Sequence, residues 1–127
     1  MSAGGYGSRD PAAGRAAAGL DQVRLSYHLL QVGDADGYAS LFEGNAVLRA
    51  PGTGSIVGRA AIERAATAGG VQIPHHLFAT DRHVTVTGRH LARPGTDIGF
   101  AEIFTISEQG LLVTKTTYFY TSPYHTG

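Results

Sequence analysis

The sequence predicts one α+β domain, with a helical N-terminal half packed on an antiparallel sheet and a pocket between the two layers. Two patterns carry this reading. Apolar residues recur at helical spacing from Leu20 to Phe42 and again over about 59–68, and from His75 onward β-branched and aromatic residues alternate with polar ones at the period of a strand. The size agrees, because 127 residues with 43% hydrophobic suit one modest core and leave little for a second.

Residues 1–19 mix Gly, Ala, Ser and isolated charges without apolar periodicity, which predicts a flexible tail ahead of a domain over 20–122, with a second short tail at 123–127. Leu20, Val23, Tyr27 and Leu30 then form one helical stripe that Leu29 widens and Gly33 ends. Asp34 is placed to cap a short second helix carrying Tyr38, Leu41 and Phe42, with Gly44-Asn45 as the turn after it. Ala46–Ala50 reads as a strand, the Pro51-Gly52-Thr53-Gly54 run as a turn, and Ile56-Val57 as the return. A third helix over about 59–68 places Ile62, Ala65 and Ala66 inward and stops at Gly69-Gly70. In the second half, Val84/Val86 and Ile98/Phe100/Phe104/Ile106 mark strands, and Ser107-Glu108-Gln109-Gly110 reads as the turn of a hairpin joining 98–106 to 111–121. Residues 88–97 fit either a turn with a short strand or one long loop.

Ten basic residues against ten acidic ones give no phosphate-neutralising surface, so neither nucleic acid nor anionic lipid is an expected partner. A small, neutral, hydrophobic ligand is. No stretch is long and apolar enough to span a bilayer, and the N-terminus lacks a secretory apolar core, so a soluble cytoplasmic protein is the default expectation. Cysteine is absent, which excludes disulfides and thiolate chemistry. His28, His83, His90 and His125 show no paired spacing with a carboxylate, so no metal site is expected.

The segments "YHLLQVGDADGYASLF", "VGRAAIERA", "PHHLF" and "FAEIFTISEQGLLVTKTTYFY", in this order and spacing over residues 20–122, resemble the SnoaL-like polyketide cyclases of the nuclear transport factor 2-like superfamily. The resemblance implies a cone-shaped α+β barrel, with three N-terminal helices on a curved antiparallel or mixed sheet around an apolar pocket, and frequent dimerisation through the open sheet face. The superfamily includes ketosteroid isomerase, scytalone dehydratase, limonene epoxide hydrolase and polyketide cyclases, and also proteins that only bind. The implied activity is cofactor-independent cyclisation, isomerisation or dehydration of a small apolar oxygenated metabolite.

Glu102 is the foremost candidate for chemistry, because it shares one strand face with Ile98, Phe100, Phe104 and Ile106. A carboxyl on an apolar face either finds a partner or has its pKa raised, and a raised pKa suits acid/base work. The bland alternative is a Glu bonded to a neighbouring Lys or Arg at a sheet edge. Counted from the turn glycine, Glu102 falls where the resemblance implies the isomerase's oxyanion-hole aspartate. In a hairpin closed by Ser107 and Gly110, Lys115 stands directly across from Glu102, with Val113, Thr117 and Phe119 also inward, while a bulge at Gly110 brings Thr116 opposite instead. Lys115 is otherwise a solvated strand residue.

His75-His76 opens the expected first long strand, where at most one of the two points inward. His76 is the choice on the resemblance, which implies a catalytic His before Leu77-Phe78; a surface His is the plain alternative. Tyr27 lies on the inner stripe of its helix, as ligand contact or as core. Arg49 is placed to meet a substrate oxyanion or solvent. Phe78, Phe100, Phe104 and Phe119 complete the expected binding surface. The isomerase's aspartate base corresponds to Ala50, which argues against that enzyme's own arrangement and toward a non-catalytic binding or dimerisation module as the alternative function. Thr114, Thr116, Tyr118 and Tyr120 form a flat, semi-polar outer face that suits a two-fold homodimer.

Overall fold

The computed structural model describes residues 11–67, 70–91 and 98–120. Three helices, α1 (Pro11–Gln31), α2 (Ala35–Ser40) and α3 (Arg59–Ala65), accompany six strands, β1 (Phe42–Ala50), β2 (Gly54–Val57), β3 (Val71–Ala79), β4 (His83–Leu91), β5 (Ile98–Ile106) and β6 (Leu112–Tyr120). The strands form one mixed sheet in the order β2-β1-β6-β5-β4-β3. Among the described residues only the β1–β6 pair is parallel; the other neighbours run antiparallel. The sheet stays open, with β2 and β3 as its edges, so the expected α+β cone is present without closing into a full barrel.

Helix α1 begins nine residues before the expected start at Leu20. Residues 11–19 are mainly Ala, Gly and Arg, so they lack an apolar stripe, yet Ala and Arg are strong helix formers. This turn of the chain is anchored: Arg15 pairs with Asp81, and Gly19 lets the helix approach Val84 and Ile106 closely. Asp34 caps α2 as expected, its carboxylate accepting from Gly37 N at 2.8 Å. Phe42 opens β1 rather than ending α2, and the expected turn at Gly44-Asn45 is instead an irregularity within that strand, between Phe42 and Val47. The stop at Gly69 and residues 92–97 of the undecided stretch 88–97 lie outside the described residues.

The core sits between the helices and the inner sheet face. Val23 and Tyr27 of α1, Tyr38 of α2 and Ile62 of α3 pack on Phe42, Ala46, Val84, Val86, Phe100, Phe104, Ile106 and Leu112. Two strand bulges determine which side chains reach this face. Gln72 and Pro74 of β3 point inward, but His75 is an extra residue against β4, and beyond it Leu77 and Ala79 are the inward ones. Val113 plays the same part in β6, between Leu112 and Thr114.

Candidate functional site

A cavity of about 600 Å³ opens between the helices and the sheet, walled mainly by apolar groups. Leu30 of α1, Leu48 of β1, Ile56 of β2 and Ala65 and Ala66 at the end of α3 supply one side, and Phe119 of β6 faces them. Polar groups converge on its floor. Glu102, 1% exposed, stands where the β5 alternation puts it, with Phe100 and Phe104 on either side in the same row.

The carboxyl of Glu102 gathers its partners from three directions. Tyr27 of α1 donates its hydroxyl to Oε1, while Oε2 accepts from Gln72 Nε2 of β3 at 2.8 Å and from Thr117 Oγ1 of β6 at 2.7 Å. Lys115 Nζ lies 3.6 Å from Oε2 and donates to the Tyr38 hydroxyl at 3.0 Å. Every neighbour is a donor or a cation, a set that matches an acceptor-only carboxylate. The ammonium also rests among the rings of Tyr27, Tyr38 and Phe104, at 5.8, 5.4 and 5.7 Å from their centroids.

Burial works against the Lys115 ammonium, but the Glu102 carboxylate and the Tyr38 hydroxyl outweigh it and hold its pKa above the usual lysine value. Burial, and then the adjacent Glu102 charge, push the Tyr27 hydroxyl above the ordinary phenol range. Tyr38 moves the same way through burial, with Lys115 pulling against it. The floor is thus an ion pair bracketed by two phenols that stay protonated.

The structure brings Glu102, Lys115, Tyr27, Arg49 and Phe119 to the cavity wall, with Arg49 on the exposed rim. Lys115 reaches Glu102 from a different register than expected. The bulge at Val113 sets Thr117 directly opposite Glu102 and Lys115 opposite Phe104, so the ion pair is diagonal, and Leu112 replaces Val113 as an inward residue. Phe100 and Phe104 are fully buried and pack against Tyr27 beneath the cavity rather than lining it.

His76 and Phe78 are corrections. Both are exposed on the outer face of β3, stacked with centroids 6.3 Å apart, and neither borders the cavity. The extra residue at His75 reverses the alternation, so the inward places go to Leu77 and Ala79. Thr117 is inward as expected, and Tyr38 joins it in the floor network. The histidine on the wall is His90 of β4, which the sequence did not single out, nor did it single out Gln72. Their signal was alternation itself: His90 is in phase with Val84 and Val86, and Gln72 pairs with it across the β3–β4 ladder. Among the described residues, no cluster of three or more His, Cys, Asp or Glu side chains could hold a metal ion, and no helix is long and apolar enough to cross a membrane.

No protein-family model and no curated protein sequence matches the chain. Solved structures do. Bal32a, from a soil-derived mobile gene cassette, is 25% identical with a TM-score of 0.73, over 84% of this chain and 92% of its own. The epoxide hydrolase/cyclase-like enzyme SalBIII, which has a role in pyran ring formation in the polyether salinomycin, is 22% identical with a TM-score of 0.69, over 80% and 89%. A protein from Kribbella flavida described as a putative ketosteroid isomerase is 16% identical with a TM-score of 0.75, over 88% and 84%. With helices on an open mixed sheet and these likenesses in structure, the chain has the nuclear transport factor 2-like fold that its sequence motifs resemble.

Proposed function

We propose that the chain is a cofactor-independent enzyme that moves a proton on a small, apolar, oxygen-bearing substrate, in a cyclisation, isomerisation or dehydration. The observation that carries this reading is the Glu102–Lys115 pair at the floor of an open, mostly apolar cavity. Glu102 takes the proton from a carbon or hydroxyl of the substrate and returns it at another atom. Lys115 offsets the negative charge that the substrate carries between the two steps, in surroundings where that attraction is stronger than in water. Tyr27, Gln72 and Thr117 hold the carboxyl in place, and Arg49 at the rim meets a substrate oxygen. Two structural neighbours, an epoxide hydrolase/cyclase-like enzyme and a protein described as a putative ketosteroid isomerase, support an enzyme of this class.

A second reading, a non-catalytic carrier of a hydrophobic metabolite, has one observation in its favour. Ala50, where the resemblance places the isomerase's aspartate base, lies on the cavity wall and offers no proton acceptor there. The experiment that separates the two is turnover of a panel of β,γ-unsaturated ketones, epoxy alcohols and β-hydroxy ketones sized to the cavity. Conversion of at least one class supports the enzyme. Binding of all three without conversion of any supports the carrier.

A further inference from the structure

His90 is the cavity residue that the floor network does not employ. Its Nδ1 is buried and has no hydrogen-bond partner among the described residues, an unusual condition for a polar atom out of water. The imidazole lies against the Phe119 ring, centroids 4.9 Å apart, and both rings border the cavity. It is held on the inward row of β4 with Val84, Val86 and Gly88. Gln72 sits directly opposite it across the β3–β4 ladder and sends its amide to Glu102, so His90 and Glu102 border the same space. The two are nonetheless apart: His90 is four residues along β4 from Val86, the cross-strand partner of Glu102, which is about 13 Å of strand.

We propose that His90 is a second polar anchor of this cavity, whose Nδ1 hydrogen-bonds an oxygen at the far end of the ligand while Glu102 and Lys115 engage the near end. The ligand is then an apolar body with two oxygen functions separated by its carbon skeleton, its flat part lying against Phe119. This deepens the reading of the cavity as a substrate site and requires only that the cavity bind a ligand, whether or not Glu102 transfers a proton. Satisfying a buried, unpaired nitrogen favours the doubly oxygenated ligand over one lacking the distal oxygen, since the latter leaves Nδ1 as it is.

The test uses naphthalene, 2-naphthol and naphthalene-2,6-diol as probes, titrated by their own fluorescence into a protein without tryptophan. In the wild type, the diol binds about tenfold more tightly than 2-naphthol, the worth of one hydrogen bond to an otherwise unpaired group. In His90→Phe the gain from the second hydroxyl disappears, and in His90→Gln it returns in part. The gain of 2-naphthol over naphthalene survives both variants and shrinks in Glu102→Gln, whose amide oxygen is a weaker acceptor than the carboxylate. A His90→Phe protein that still prefers the diol overturns the anchor, as does a wild type that binds diol and 2-naphthol alike. Should His90→Phe fold poorly, the His90 Nδ1 resonance in ¹⁵N NMR of the wild type decides: it moves with the diol and stays with naphthalene, and a resonance indifferent to the diol refutes the proposal. Loss of the 2-naphthol preference alone touches the floor network and leaves the His90 anchor standing.

Discussion

Lys115 lies diagonally from Glu102 across the β5–β6 ladder, its Nζ 3.6 Å from Oε2, while Thr117 holds the place directly opposite and donates to the same oxygen. The carboxylate is therefore served by two neighbours of one strand. Removing the cation leaves three neutral donors on Glu102, and removing the carboxylate leaves Lys115 with only Tyr38 and aromatic faces.

The pair is nearly fully buried, so breaking it from one side is costly. Lys115→Met is expected to lower unfolding stability by about 3 kcal/mol, and the Glu102→Gln/Lys115→Met double variant to recover part of that loss, because no unpaired charge remains. Urea denaturation of Lys115→Met, Glu102→Gln and the double variant measures the coupling. Strictly additive losses would show that the two groups do not interact.

Alkaline pH provides a separate check. Lys115, Tyr27 and Tyr38 all have folded pKa values above their ordinary 10.5 and 10.0. Above about pH 10 the unfolded chain sheds these protons while the folded one keeps them, so stability is fully present at lower pH and falls as pH rises. Each retained proton contributes up to about 1.4 kcal/mol per pH unit. Urea midpoints at pH 8, 10 and 11 are expected to decline beyond pH 10, less steeply in Tyr27→Phe. A flat profile contradicts the buried, protonated floor.

Much of this site was legible in the sequence, and the remainder was hidden by specific features. Glu102 followed from simple alternation, because β5 is regular from Ile98 to Ile106. Lys115 was assigned the right face and the right counter-charge but the wrong register, since the bulge at Val113 leaves no mark in residue type. The bulge at His75 did more, turning His76 and Phe78 outward. His90 and Gln72 become neighbours only through the β3–β4 register, which hydrophobicity alone does not specify. The helix over residues 11–19 escaped because alanine supports a helix without marking a face.

Gly88 tests the packing of β4 against β3. A Cβ there would meet Ile73 O at 2.1 Å and the Phe100 ring at 2.9 Å, whereas a Cβ at Gly44 meets nothing within 4 Å. Gly88→Ala is expected to destabilise by about 3 kcal/mol, because backbone and a buried ring must both shift. Gly44→Ala serves as control and changes little. Equal melting temperatures for the two would mean that β3 and β4 are not paired in this register.

The outer face of the sheet carries Tyr118 and Tyr120, each 53% exposed, with Phe78 at 62% and Ile103 at 36%. Thr114 contributes less than expected, as it is half-buried and bonded to Thr105 at 2.7 Å. We infer a two-fold dimer through this face, since exposed aromatics on a flat patch favour self-association. Light scattering at micromolar concentration is expected to report a dimer, and Tyr118→Glu a monomer. A wild-type monomer removes the idea.

The most direct measurement follows proton transfer itself. Deuterium uptake from D₂O into 2-tetralone, a small apolar ketone with acidic α-hydrogens, is compared for the wild type and Glu102→Gln, with the melting temperature recorded on the same samples. Glutamine keeps the size and most hydrogen bonds of the side chain but cannot accept the proton, so the expected result is catalysed exchange in the wild type and a fall of roughly a hundredfold or more in the variant, which remains folded. Exchange that is equally fast in both folded proteins would contradict Glu102 as the proton carrier.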